Sequence, residues 1–313
     1  MEDADDGNGQ RISAEEAFSL LANETRVSTL EALWKSWDDA VPFSELRRQV
    51  GVRDAGQFHY HLSKLCDHFV CKGEDGYSLT PAGFKIAQSV VAGTGIEMPS
   101  VESTSTERAC PCCGNAVNVR YADGAVRVYC SECPGFWSGT DEYGAMERGY
   151  LGGWEFPPAG LRDRTTDERL DASIAYMITR TESLMLGVCP DCGGKATGVM
   201  SVCETHDPGD EVCTDCGRNF LGVTHWRCET CKLLFAAPSW AAAVQHPRVR
   251  ALLTRDKADY RDDLWRALHV GYEQAWDETI VSENPLRVRI TIPSEGDTCE
   301  LVLDESGKVI EVR

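Results

Sequence analysis

The residues best placed to do chemistry are cysteines in pairs separated by two residues. Cys110-x2-Cys113 and Cys130-x2-Cys133 lie sixteen residues apart, in the turn sequences CPCCG and CSEC. Four thiolates arranged tetrahedrally at roughly 2.3 Å make a closed structural zinc site. Cys112 sits in the same turn and could replace Cys110 or Cys113. Further along come Cys189-x2-Cys192, Cys203-x2-His206, Cys213-x2-Cys216 and Cys228-x2-Cys231, which supply eight ligands, enough for two more ions. The expected cofactor is zinc, about three structural ions per chain. A catalytic zinc would keep an open position and a nearby acid or base. No His-x-Glu stands upstream of these pairs, as deaminases require, and no HExxH or Walker-type loop occurs. No enzymatic activity and no catalytic residue is expected.

Composition bounds the setting. The chain is long enough for two or three domains, each with its own core. Its apolar runs, such as Ala236-Ala237 or Ala241 to Val244, are far too short to span a bilayer. The start, Met1 to Asp6, is acidic and polar, so a cytoplasmic protein with no membrane partner is expected. In that compartment, 15 cysteines in paired spacing point to metal rather than disulfide. Asp and Glu total 50 against 31 Lys and Arg, a net charge of −19. A surface this acidic repels phosphate, which taken alone argues against nucleic acid.

The elements that must position these residues can be read in chain order. Residues 1–11 are expected to be a disordered acidic tail, and 94–109, rich in Gly, Ser, Thr and Glu, a linker. Residues 110–156 read as one zinc ribbon, and 166–313 as a C-terminal α+β domain with zinc sites at 189–231. A helix starts near Thr166, with Leu170, Ile174, Met177 and Ile178 on one face. Helical stretches follow at 239–255 and 259–276. The end alternates like strands, at 286–292, 299–303 and 309–312, with a turn at Asp304 to Lys308.

Residues 12–93 carry their elements in the order a winged helix-turn-helix needs. Ser13 can cap a first helix, with Glu16 at the capping-box position. Glu24 to Lys35 follows, then a short helix at Phe43 to Val50 capped by Ser44. Gly51 makes the turn before Arg53 to Asp67, where Phe58, Leu62 and Leu65 form an apolar stripe. Two short strands around Glu74-Asp75-Gly76 make a wing, and Pro81 opens a closing helix. Cys66 and Cys71 read as small core residues.

ANETRVSTLEAL, FSELRRQVGVRDAGQFHYHLSKL and DGYSLTPAG together resemble the winged-helix domain of ArsR-like regulators, especially haloarchaeal ones, over about residues 12–93. The resemblance implies a DNA-binding transcription regulator, whose second helix of the motif enters the major groove. Carried onto this chain, the exposed candidates are Arg53, Gln57, His59, Tyr60, His61 and Lys64, with Arg47 and Arg48 nearby. Gln57 could read adenine, and Arg53 guanine or phosphate. From Ser44 to Lys64, four basic residues stand against two acidic ones, a local balance of +2. A host living in molar salt reconciles this with the overall charge, because such salt screens charge within roughly 3 Å. The family's metal-sensing positions are missing: Phe43 to Val50 has no cysteine, and Gly83 to Val91 has no His or carboxylate pair.

CPDCGG and WRCETCKLLF look like two knuckles of one ribbon, and the stretch up to SWAAAVQHPRVRALL resembles the C-terminal region of the same regulators. The implied pairing is Cys189/Cys192 with Cys228/Cys231, leaving Cys203, His206, Cys213 and Cys216 as a nested site. Sequential pairing of Cys189/Cys192 with Cys213/Cys216 is the alternative. The expected fold is α+β: a winged helix-turn-helix, zinc-ribbon modules and a C-terminal helical and β-hairpin region. Expected partners are double-stranded DNA and a second copy of the chain, since helix-turn-helix proteins usually pair half-sites. Two rival readings remain: an adaptor contacting the transcription machinery through its ribbons, and a sensor in which thiols such as Cys112 control DNA release.

Overall fold

Ser13 and Glu16 close a capping box at the start of α1 (Ala14–Leu21), Ser13 N donating to the Glu16 carboxylate at 2.9 Å and Ser13 Oγ accepting from Glu16 N at 3.1 Å. The structure, a computed structural model, describes residues 12–141, 144–207, 212–253, 265, 276–294 and 297–313. It is a mixed α/β chain in two compact units, divided between Glu97 and Met98, with Pro157–Ala159 grouped with the first.

In the first unit, α2 (Glu24–Lys35), α3 (Phe43–Val50), α4 (Ala55–Leu65) and α5 (Pro81–Ala92) enclose Leu30, Leu33, Leu46, Phe58, Leu62 and Leu65, all essentially removed from solvent. Each such side chain stabilises the unit by about 1.5–3 kcal/mol. α3 begins at Phe43 rather than behind a Ser44 cap, because Val41 is pinned backbone to backbone to Tyr77, at 2.8 and 2.9 Å, and Pro42 takes the cap position. Gly51, at φ 80°, ends α3 in the left-handed conformation that side chains disfavour. Asp54 then caps α4 by accepting from Gln57 N at 2.6 Å. β1 (Val70–Lys72) and β2 (Tyr77–Leu79) pair antiparallel. Cys71 is exposed on this hairpin, its Sγ 3.0 Å from Ser78 Oγ, so it is not a core residue; its alternate position on β1 turns it outward.

The second unit holds β3 (Val101–Ala109), β4 (Ala116–Ala122), β5 (Ala125–Cys130) and β8 (Tyr150–Glu155) in one antiparallel sheet, ordered β3-β4-β5-β8. β6 (Gly139–Asp141) and β7 (Gly144–Met146) form a small hairpin of their own. Val117, Val119, Tyr121, Val126, Val128 and Cys130 face the core, as the alternation of β4 and β5 dictates. α6 (Thr166–Met185) starts at a Thr165–Glu168 capping box and buries Leu170, Ile174, Met177 and Leu184; Ile178 is half-buried at the edge of that face. β9 (Ala196–Val202), β10 (Gly222–Cys228) and β11 (Leu234–Pro238) form a three-stranded sheet with β10 central. Two short helices, α7 (Ala241–Gln245) and α8 (Pro247–Leu253), precede a four-stranded meander of β12 (Asp277–Glu283), β13 (Leu286–Ser294), β14 (Asp297–Leu303) and β15 (Val309–Val312). Asp304 shapes the last turn by accepting from Ser306 N at 2.9 Å and Lys308 N at 3.1 Å.

Three further expectations change. Residues 101–109 are a sheet strand, not part of a linker: Thr106 is buried and donates its hydroxyl to Val117 O at 3.1 Å. Their Ser, Thr and Glu content suits an exposed edge strand as well as a linker. The ribbon at 110–156 is not separate from the rest, since one continuous core runs from Cys110 through Met177 and Val223 to Leu303. β12 is an extra strand ahead of the expected ones. The acidic tail and most of the helical stretch at 259–276 lie outside the described residues.

Candidate metal centres

Three groups of four ligands assemble in the second unit: Cys110, Cys113, Cys130 and Cys133; Cys189, Cys192, Cys228 and Cys231; and Cys203, His206, Cys213 and Cys216. Within each group the ligand atoms all lie within 4.8 Å of one another. Each group could hold one metal ion.

The local fold that delivers the first two ligands of a knuckle recurs. Cys110 N donates to Asn115 O at 2.6 Å and Gly114 N to Cys110 O at 2.8 Å; the same two bonds tie Cys189 to Gly194 and Gly193, and Cys213 to Arg218 and Gly217. Such a tight turn needs a left-handed residue just after the second cysteine, and Gly114, Gly193 and Gly217 supply it at φ 78°, 72° and 66°. Lys232 does the same after Cys231, at φ 66°, without a glycine's freedom. Backbone amides then point at sulfur: Glu132 N lies 3.4 Å from Cys130 Sγ and Thr230 N 3.3 Å from Cys228 Sγ.

The distances fit an ion. Cys110 and Cys133 sulfurs stand 3.7 Å apart, and the pairs Cys113–Cys130, Cys189–Cys231 and Cys192–Cys228 each 3.5 Å. A disulfide would bring sulfurs to about 2.05 Å. Four thiolates about 2.3 Å from a central zinc stand roughly 3.8 Å apart, close to what is found. In the third group, His206 Nδ1 lies 3.4 Å from Cys216 Sγ.

Topology explains the pairing. Cys189 and Cys192 precede β9 and Cys228 and Cys231 close β10, so the second group sits at the open end of the β9–β10 hairpin, where Cys228 faces Ala196. Cys203 to Cys216 lie between the strands, at the loop end, where Gly222 faces Val202. The sequential alternative would join ligands from opposite ends of a seven-residue strand, roughly 20 Å at about 3.4 Å per residue. The nested arrangement is the one the hairpin permits.

The thiols are not electrostatically alike. Cys228 is drawn down to about 6, foremost by the Cys231 amide, and Cys113 to about 7 by that of Asn115. Cys213 falls to about 7, foremost through the Asp207 amide. Cys110 is raised, first by its hydrogen bond with the Cys112 thiol and then by burial, and burial raises Cys133. Metal ligation needs thiolates, so one amide-held sulfur per group is ready to receive a cation first. Burial and the charge of Arg218 lower His206, favouring the neutral imidazole a ligand must be. Arg218 escaped the motif reading; it lies over the rings of Trp137 and Phe220 at 5.9 and 5.7 Å, and only its place two residues past Cys216 hints at it. Cys112 is exposed and stays out of the first group.

The other residues singled out in the sequence sit in the first unit. Arg53, Gln57, His59, Tyr60 and Lys64 are exposed, while Arg47 and His61 are half-buried. Gln57, Tyr60 and Lys64, at i, i+3 and i+7 of α4, share the face opposite Phe58, Leu62 and Leu65. Lys64 Nζ stands 5.8 Å over the Tyr60 ring. Arg47 donates to Arg53 O at 2.5 Å and bridges the turn, and Arg48 is tied to Glu45 at 2.5 Å.

Fold and sites together define a two-unit α/β protein whose second unit is built around three cysteine-rich groups able to hold metal. The chain belongs to the family described as Domain of unknown function (DUF7351), whose model matches residues 107–309; a second family model, Domain of unknown function (DUF7347), matches residues 14–90. No curated protein and no solved structure matches the chain. Among the described residues no helix is long and apolar enough to cross a membrane.

Proposed function

We propose that this chain is a DNA-binding transcription regulator in which a winged helix-turn-helix reads double-stranded DNA through α4 and structural zinc holds the second unit together. The observation that carries the reading is α4 itself. It is anchored by three buried apolar residues, and its opposite face offers Gln57, Tyr60 and Lys64 in one row, with Arg53 just ahead of it. The order of four helices, a two-stranded hairpin and a closing helix supports it, because that order leaves such a helix free to enter a major groove. Zinc is the metal this donor set favours: thiolate-rich, four-coordinate and closed. Pairing of two copies would match paired half-sites on DNA. The reading places the protein in the cytoplasm.

Genomic fragments selected by the purified protein at molar KCl provide the test. Lys64→Ala and Gln57→Ala are each expected to weaken binding to the best fragment by roughly tenfold, about 1.4 kcal/mol, in the range of a base or phosphate contact. Wild-type protein that prefers no fragment defeats the reading and favours an adaptor instead. One observation leans toward that second reading: Glu74 and Asp75 are exposed at the hairpin tip, where a DNA-facing wing would carry basic side chains.

A further inference from the structure

β5 and its neighbours bury one face in the core and turn the other toward a cleft. On that second face Arg127 pairs directly across from Arg120 on β4 and from Gly153 on β8. Like charges placed directly opposite in a sheet are destabilising unless something lies between them. Glu147 neutralises Arg120 at 2.9 Å. Arg127 has no carboxylate among the described residues; its guanidinium donates only to the backbone carbonyl of Ala122, at 3.1 Å. Two further donors border the same space, Arg120 Nε on this face and the Trp154 indole N–H on the core side of β8 opposite Val126, and both are buried without an acceptor among the described residues.

These groups line a cavity of about 420 Å³, within the size range of small-molecule sites. Arg180 enters it from α6, already paired to Asp191 at 2.5 Å. Glu147 and Glu155 are the acidic residues of the lining, and Glu155 also reaches Arg180, at 3.7 Å. Arg127 is therefore the guanidinium of the lining left without a carboxylate among the described residues. The inner end is different. There Trp137, Trp154 and Phe235 continue into a smaller apolar recess of about 100 Å³. Gly153 keeps the passage open, since a Cβ there would lie 2.7 Å from Tyr150 Oη and 3.2 Å from Arg127 Cγ.

We propose that this cleft binds a small organic anion with a flat aromatic body, the anionic group meeting Arg127 and the ring entering the Trp137–Trp154 recess. A guanidinium fork matches carboxylate and phosphate alike, and aromatic walls favour a planar apolar body. The site needs no DNA and does not depend on the regulatory reading, so its test is run on the full chain without DNA.

The probes are 2-naphthoate, 2-naphthyl phosphate and the neutral 2-naphthylmethanol, titrated by calorimetry and tryptophan fluorescence against the metal-loaded protein. Saturable binding of at least one anion is expected, about tenfold tighter or more than the neutral analogue, with the stronger anion identifying carboxylates or phosphate esters as the class. Arg127→Gln, checked for unchanged metal content and circular dichroism, is expected to erase that tenfold preference. The wild-type comparison of anion with neutral probe stands even if Arg127→Gln does not fold. No saturable binding of either anion at millimolar concentration overturns the proposal, as does equal affinity for anion and alcohol. An unchanged anion preference in folded Arg127→Gln overturns the assignment to this cleft.

Discussion

Glu278 holds a carboxyl group inside the second unit, with Oε2 accepting from Leu221 N at 2.8 Å and Oε1 buried without a partner among the described residues. Burial, partly offset by the Leu221 amide and Arg218, lifts its pKa to about 7 from 4.5. An acid whose folded pKa is raised stays protonated in the fold while the unfolded chain has already lost the proton. Stability therefore falls as pH rises from about 4.5 to about 7 and levels off above, where the buried charge costs about 3 kcal/mol. Glu278→Gln is expected to flatten that slope and to stabilise the protein by about 1–2 kcal/mol at pH 8, relative to wild type, in urea unfolding at four pH values. A parallel slope in both proteins would show that the carboxyl is not buried. At this scale the sequence is legible where chemistry depends on spacing: a Cys-x2-Cys pair declares its ligands, and His206 falls into place beside Cys216. Glu278 and Arg127 are not legible. Glu278 matters through Leu221, which is remote in sequence, and Arg127 through a register with Arg120 that only the turn at Asp123 and Gly124 fixes.

Among the elements, α5 meets the backbone of Phe69 with no room to spare. A Cβ on Gly83 would lie 1.9 Å from Phe69 O, an atom that cannot rotate away. Gly83→Ala is thus expected to destabilise the first unit by about 2–4 kcal/mol although alanine favours helix, as chemical denaturation followed at the helical signal would show. A neutral or stabilising effect would mean that α5 packs elsewhere. Helices of this unit are legible because caps and stripes agree: Ser13 with Glu16, Asn23 before α2, Asp54 before α4. β3 is not, because Glu102, Ser103, Thr104 and Ser105 are exposed and alternate nothing apolar; only pairing to β4 makes them a strand. β12 was hidden for a related reason. Its run DETIVSE is largely polar and carries an irregularity in its register between Ile280 and Ser282.

For the whole molecule, metal divides the two units. All three ligand groups belong to the second, and among the described residues of the first none forms such a group. Three ions per chain are expected by elemental analysis, and Cys228→Ser is expected to lower that number to two. A strong chelator is expected to abolish the cooperative melting of the second unit, since structural zinc contributes roughly 10–16 kcal/mol in small domains, and to leave the helical transition of the first in place. Simultaneous loss of both transitions would show that the units do not stand independently. The division into a helical and a cysteine-rich part was readable from composition alone. That the first ligand group shares one core with α6, β10 and β14 was not, since Cys110, Met177, Val223 and Leu303 come together only in three dimensions.

The β9–β10 hairpin has a consequence for how this unit comes apart. Hairpins ordinarily open by fraying, one rung at a time from the free end, or slide past a partner by a residue. Here the open end and the loop end each terminate in a ligand group. A slip of one residue would carry Met200 and Trp226 from the inside to the outside and break both coordination shells at once. With both ions in place neither cheap route exists, and the seven rungs between them open as a single event or not at all.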